Sequence, residues 1–159
     1  MSARPSPVIV VGYDGSPAAK AALRLAMSRV GGGKLFVVHG YDAPADYWGG
    51  EHYEALLHAA LDRGERTLEQ ATTAVPELAD VGHEMELIAG HPAEVIANVA
   101  ATRDADEIIV GTRGFGRIRG ALGSVAHALL HQARCPVTVI PTAALPSLGE
   151  AEDMAEATT

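Results

Sequence analysis

One loop of the chain, residues 111–124, concentrates the residue types that bind anions. It holds five glycines with three arginines between them, in a chain whose net charge is −8. Backbone amides at a helix start bind phosphate when no bulky side chain blocks their approach. Glycine is a costly residue for a mere connection, because it loses the most conformational freedom on folding. The spacing Gly111-x2-Gly114-x8-Gly123-Ser124 therefore predicts a phosphate-binding loop, with Gly116 and Gly120 as its other glycines.

Two common nucleotide motifs do not fit this loop. A dinucleotide fingerprint needs G-x-G-x-x-G after the first strand, whereas here Arg119 takes the place of the third glycine. A P-loop needs Lys-Ser or Lys-Thr after its second glycine, and the chain has Arg117-Ile118 there. The remaining alternative to ligand binding is a flexible connection in which Ser124 merely caps the following helix.

Apolar runs and helical patterns alternate along the chain and predict the order βαβαβαβαβ. Short β-branched runs indicate strands buried on both faces, and Ser16-Pro17 is a typical helix start. Such an order is typical of a mostly parallel sheet with helices on both faces. The predicted strands are 8–12, 35–39, 83–88, 107–110 and 136–141, and the predicted helices begin at Pro17, Glu51, Pro92 and about Gly123.

The candidate site residues follow the ends of different strands. Asp14, Gly40 and Gly111 come directly after the first, second and fourth predicted strands. Ligands of such sheets bind at the carboxyl ends of the strands, so we expect these residues to share one cleft. From the residues alone, Asp14 has two open roles, to orient a ribose hydroxyl or to make the Asp14-Gly15 turn.

Composition limits the classes of partner. The acidic chain lacks the basic face that nucleic acid or an anionic membrane needs, and it contains no apolar stretch long enough to span a bilayer. With Cys135 as its single cysteine it forms no intrachain disulfide, and we expect a cytoplasmic protein. We predict a buried, unreactive thiol there. Residues 144–159 are acidic and rich in small residues, which predicts a disordered tail after a domain of residues 1–143.

The chain shows no arrangement typical of hydrolytic or metal chemistry. His127 and His131 are spaced to share a helix face, but no metalloprotease glutamate lies between them, so a pair that faces solvent or an interface is expected. We find no G-x-S-x-G nucleophile elbow and no cysteine–histidine arrangement. We therefore assign no catalytic and no metal-binding residues.

Four segments together resemble the universal stress protein family, over roughly residues 7–140. They are YDGS at 13–16, AGHPAEVI at 89–96, IIVGTRGFG at 108–116 and GSVAHALLHQARCPVTVI at 123–140. The resemblance implies a three-layer α/β sandwich with a five-stranded parallel sheet, of the adenine-nucleotide alpha-hydrolase-like type, and a homodimer. The glycine pattern is similar to that of the ATP-binding branch, although the interval between Gly114 and Gly123 is one residue shorter than in that branch.

The resemblance implies an adenine nucleotide, which is ATP, AMP or cyclic AMP, with Mg possible beside ATP. By position, Asp14 would meet the ribose and the Gly40 backbone the adenine. The residues that would surround the ribose and phosphates or border the site are Gly12, Gly111, Arg113, Gly114, Gly116, Gly123, Ser124 and Val125.

Binding would serve a stress-response switch or sensor without fast turnover. Two alternatives stay open. One is a slow ATPase or autophosphorylating protein with Ser124 as acceptor. The other is a nucleotide-free interaction module that dimerises through Val137–Ile140, an apolar strand at an edge of the predicted sheet.

Overall fold

A computed structural model describes residues 6–45, 50–112 and 122–141, and the elements follow the predicted order. The strands are β1 (Val8–Gly12), β2 (Lys34–Tyr41), β3 (His83–Ala89), β4 (Glu107–Gly111) and β5 (Val137–Ile140). The helices are α1 (Pro17–Val30), α2 (Glu51–Ala74), α3 (Pro92–Thr102) and α4 (Ser124–Gln132), with a short 3-10 helix at Pro76–Asp80 after α2.

The five strands form one parallel sheet in the order β3-β2-β1-β4-β5. Helices α1 and α2 cover one face, and α3 and α4 cover the other. This is the three-layer α/β sandwich that the sequence predicted. Both faces of the central strands are buried because helices cover each side of the sheet. Neighbouring residues point to opposite faces, so that Val11 packs under α1 while Val10 packs under α3.

The helix starts follow local sequence signals. Ser16 is 1% exposed and caps α1, since its hydroxyl accepts a hydrogen bond from the Ala19 N–H at 3.2 Å. Pro92 occupies the first turn of α3, where its missing N–H costs nothing. Gly64, inside α2, lets that helix approach β3, because a Cβ at this position would lie 2.5 Å from Leu87 Cδ1.

Several predicted boundaries were wrong by one or two residues. Gly40 and Gly111 lie within β2 and β4 and not beyond them, because both strands continue their pairing. The start of α4 agrees with the prediction of about Gly123, since the helix begins at Ser124 with Gly123 as its N-cap. The predicted tail at 144–159 and the loop residues Arg113, Gly114 and Gly116 lie outside the described residues.

Cys135 is partly buried, which falls short of the buried thiol that we expected. Burial and the nearby Asp106 carboxylate raise the pKa of this thiol, so that it stays protonated and a weak nucleophile. Over the described residues, no helix is long and apolar enough to cross a membrane.

Candidate functional site

A cleft opens at the carboxyl edge of the sheet, between the ends of β1 and β4. The chain leaves β1 for α1 and β2 on one side, and it leaves β4 for α4 and β5 on the other. Adjacent strands whose connections diverge in this way leave a crevice in which α/β proteins bind ligands. The structure brings seven predicted site residues to this cleft: Gly12, Asp14, Gly40, Gly111, Gly123, Ser124 and Val125.

Asp14 is held in a turn just before the start of α1. Its Oδ1 accepts a hydrogen bond from the Ser16 N–H at 2.9 Å, and Gly15 between them has φ +81, which favours glycine. The other carboxylate oxygen makes no hydrogen bond to a residue of the described ranges. The turn role that the sequence left open for Asp14 is therefore observed, and the second oxygen leaves an acceptor at the cleft.

The start of α4 offers backbone amides to the cleft. Gly123 is extended, with φ −62 and ψ 155, and none of the described side chains caps the helix. The Gly123 N–H donates to the Thr112 carbonyl at 2.7 Å, so this amide is already used. The first helical amides, at Ser124, Val125 and Ala126, have no intrahelical partners. The helix dipole adds positive potential at this end, so the terminus suits an anion.

Gly40 presents a free backbone donor and acceptor. In β2 the Tyr41 carbonyl accepts from the Gly90 N–H on the β3 side, so the polar groups of Gly40 point to the β1 side. Strand β1 has ended at that level. Within the described ranges, neither the Gly40 N–H nor its carbonyl forms a hydrogen bond. An N–H and a C=O side by side can bind a ligand edge that carries one acceptor and one donor.

Three of these glycines also serve the packing of the fold. A Cβ at Gly12 would lie 2.5 Å from Ile96 Cδ1, and one at Gly40 would lie 3.0 Å from Pro92 Cα. At Gly111 a Cβ would overlap Ala18 of α1, with its backbone carbonyl carbon 2.9 Å away. The absence of side chains at these positions is therefore explained by close contact between strands and helices, without a ligand.

Two neighbours of the site were missed by the sequence analysis. The His39 ring lines the cleft, and its Nδ1 lies 2.7 Å from the Tyr13 carbonyl oxygen. A polar side chain in the predicted strand 35–39, next to Gly40, was the available signal. Burial raises the pKa of the Tyr13 phenol, the Asp14 carboxylate raises it further, and Arg24 partly opposes both, so the phenol stays neutral.

The described residues show no cluster of three or more histidine, cysteine, aspartate or glutamate side chains that could hold a metal. His127 and His131 stack edge to face with ring centroids 5.0 Å apart, on the shared helix face that their spacing predicted, and both are exposed in this chain. Neither lines the cleft.

The fold and the cleft define a class: a parallel α/β protein of one domain with a cleft at the carboxyl edge of its sheet. The chain belongs to the universal stress protein family, since the sequence profile described as "Universal stress protein family" matches residues 7–141. A universal stress protein of Thermus aquaticus, named for its place in the QAH/OAS sulfhydrylase 3' region, is 36% identical over 137 residues. This match covers 83% of the present chain and 96% of the relative.

Solved structures of the family share the fold. A universal stress protein from Lactobacillus plantarum superposes with a TM-score of 0.70 at 26% identity, over 87% of this chain and 99% of that one. A universal stress protein from Archaeoglobus fulgidus, solved in complex with dAMP, has a TM-score of 0.62 at 25% identity. That match covers 85% of this chain and 97% of the other.

Proposed function

We propose that this protein binds ATP or another adenine nucleotide in the cleft and acts as a stress-response switch or sensor without fast turnover. The observation that carries the proposal is the meeting, in one cleft, of the free Gly40 backbone pair, the open Asp14 oxygen and the uncapped start of α4. In that order, these groups have the hydrogen-bonding character needed to bind the base, the ribose and the phosphates of a nucleotide.

Each part of the nucleotide has a partner in this proposal. Adenine carries an acceptor, N1, next to a donor, the 6-amino group, which complement the Gly40 N–H and C=O. Asp14 accepts from the ribose hydroxyls, and the Ser124 and Val125 amides hold the phosphates. Gly12, Gly111 and Gly123 border the cleft. By the resemblance to the family, three loop residues outside the described ranges would contact the phosphates: Arg113, Gly114 and Gly116. Mg would accompany ATP through the phosphates.

Relatives support the class of ligand. The Archaeoglobus fulgidus protein binds dAMP and has the same fold, at 25% identity. The described glycines of the ATP-branch pattern, Gly111 and Gly123, are both at the cleft. We infer that the ligand of the present chain belongs to the same chemical class, an adenine nucleotide.

The geometry favours binding over turnover. Within the described lining of the cleft, the one carboxylate, Asp14, is at the proposed ribose position, and the one imidazole, His39, is beside Gly40 at the proposed base position, so neither is assigned to the phosphates. A general base needs a free basic atom within hydrogen-bond reach of the attacking water. A bound nucleotide would therefore persist long enough to report its concentration.

Isothermal titration with ATP, AMP and cyclic AMP tests the proposal, with GTP as the control for the base. We expect at least one adenine nucleotide to bind with a dissociation constant below about 1 mM, roughly −4 kcal/mol. GTP should bind more weakly, because the guanine 6-oxo group and N1–H reverse the donor and acceptor that face Gly40. No heat with any adenine nucleotide would refute the nucleotide claim.

We also infer a homodimer formed through β5. This strand is at an edge of the sheet, and the carbonyls of Pro136, just before β5, and of Ile140, at its end, point toward β4. In a parallel strand the polar groups alternate, so those of Val139 point to the open edge. An edge of this kind invites pairing with a second strand.

Val139→Pro should therefore weaken the dimer, because it removes the outward N–H without touching the bonds to β4. Val139→Ala, which keeps that N–H, is the matched control and should stay dimeric by light scattering. Equal dimer masses for the two variants would contradict this interface.

We propose that residues 1–143 form the domain, that residues 144–159 form an acidic tail, and that the protein acts in the cytoplasm. The single cysteine and the acidic composition support the setting.

A further inference from the structure

The Tyr13 carbonyl, just beyond the end of β1, has an unusual partner for its position in a sheet. The Tyr13 N–H donates to the Val38 carbonyl at 2.9 Å, as a regular parallel ladder requires. In that ladder the Tyr13 carbonyl would next accept from the Gly40 N–H. It accepts from the His39 side chain instead, with Nδ1 at 2.7 Å. A carbonyl only accepts, so Nδ1 carries the proton.

A backbone carbonyl can accept two hydrogen bonds, but among the described residues the Tyr13 carbonyl accepts from the His39 imidazole and not from the Gly40 amide. The Gly40 N–H therefore has no partner among the described residues. Since both Gly40 and His39 line the cleft, the Gly40 N–H, which the ladder leaves unused, lies at the proposed ligand site.

We propose that His39 is a positioning residue that keeps the Gly40 N–H free to recognise a base. The role is specific to the Nδ1 position: a side chain without a donor there would let Gly40 bond to Tyr13, which would extend the pairing of β1 with β2 and withdraw the amide from the cleft. The consequence for base selection rests on the proposed function, whereas the ladder geometry does not.

Amide hydrogen exchange in the ligand-free protein tests the geometry alone. In the wild type the Gly40 amide should exchange rapidly, while the Val38 amide in the same strand is protected. His39→Leu should protect Gly40 by about tenfold or more, the effect of one hydrogen bond of typical strength. His39→Asn is the matched control, because its amide nitrogen occupies the position of Nδ1, and it should leave Gly40 exposed. A Gly40 amide that is protected in the wild type, or equally exposed in His39→Leu, would overturn the proposal.

Affinities for AMP and IMP test the consequence for base selection. Inosine has a donor at N1 and an acceptor at position 6, the reverse of adenine, so the ratio of the two affinities reports on Gly40. We expect AMP to bind about tenfold more tightly than IMP in the wild type and in His39→Asn. In His39→Leu this ratio should fall to about one, through a loss of AMP affinity with IMP unchanged.

A merely structural role would weaken AMP and IMP equally in His39→Leu, and that outcome, like an unchanged ratio, would overturn the proposal. If His39→Leu does not fold, His39→Gln takes its place. Its amide lies one bond further out, so it should lose the ratio that His39→Asn retains. A wild type that binds neither nucleotide refutes the proposed function, and the exchange experiment then still decides the role of His39.

Discussion

Replacing Ser124 with proline is expected to weaken ATP binding by about tenfold or more while leaving the fold intact. Proline at the first helical position removes one N–H that has no intrahelical partner, and its fixed φ suits a helix start. The preceding residue, Gly123, already has the extended conformation that a residue before proline prefers. A hydrogen bond to a charged group contributes about 1.5–3 kcal/mol, which sets the expected loss. Calorimetric titration and denaturant unfolding measure the two effects.

Two controls distinguish the contribution of the Ser124 amide to ATP affinity from that of the Ser124 side chain and from that of contacts to the base. Ser124→Ala keeps the N–H and loses only the exposed hydroxyl, so it should affect ATP affinity less than Ser124→Pro does. Adenosine lacks phosphate, and its affinity should be the same in the wild type and in Ser124→Pro. Equal ATP affinities in the wild type and Ser124→Pro would show that the phosphates do not contact this helix start.

Gly111→Ala is expected to lower the free energy of unfolding by about 2–3 kcal/mol, although it adds a single methyl group. The new Cβ would overlap Ala18, with the carbonyl carbon of that residue 2.9 Å away, so α1 must move off β4. The expected loss of folding free energy is large because backbone atoms cannot move aside as the end of a flexible side chain can. Urea denaturation measures the change.

Gly82→Ala is the control for adding a methyl group to a glycine. A Cβ at Gly82 meets nothing within 4 Å, and the expected change is within about 0.5 kcal/mol. Adding Ala18→Gly to Gly111→Ala should recover part of the loss, since the two side chains would otherwise compete for one space. If Gly111→Ala is no more destabilising than Gly82→Ala, the contact between α1 and β4 is not the reason for this glycine.

The sequence predicted the fold well because its signals are local. Ser16-Pro17 marks the start of α1, and the apolar run at Val8–Gly12 marks a strand buried on both faces. The strand ends were less well predicted. Nothing in the residues at Gly40 and Gly111 shows that β2 and β4 continue through them, because that pairing depends on β3 and β5.

The sequence predicted which residues lie at the site better than it predicted why those residue types are needed there. The glycine pattern placed Gly111 and Gly123 at the cleft, yet it could not show that Gly111 is also required by Ala18 or that the Gly123 amide is held by Thr112. Both contacts join segments distant in the chain. The role of His39 was invisible for the same reason, since it depends on the register of β1 against β2.

The most direct test of nucleotide binding in the cleft is a titration of the isotope-labelled wild type with ATP, followed at each backbone amide by NMR. We expect the amides of Gly40, Ser124 and Val125 to shift, because they line the carboxyl edge. Those of Lys34 and Asp106, at the opposite edge of the sheet, should not shift. Concentrations up to about 5 mM would fill most of a site whose dissociation constant is about 1 mM. No shift at the three cleft amides, or shifts confined to other surfaces, would contradict the account.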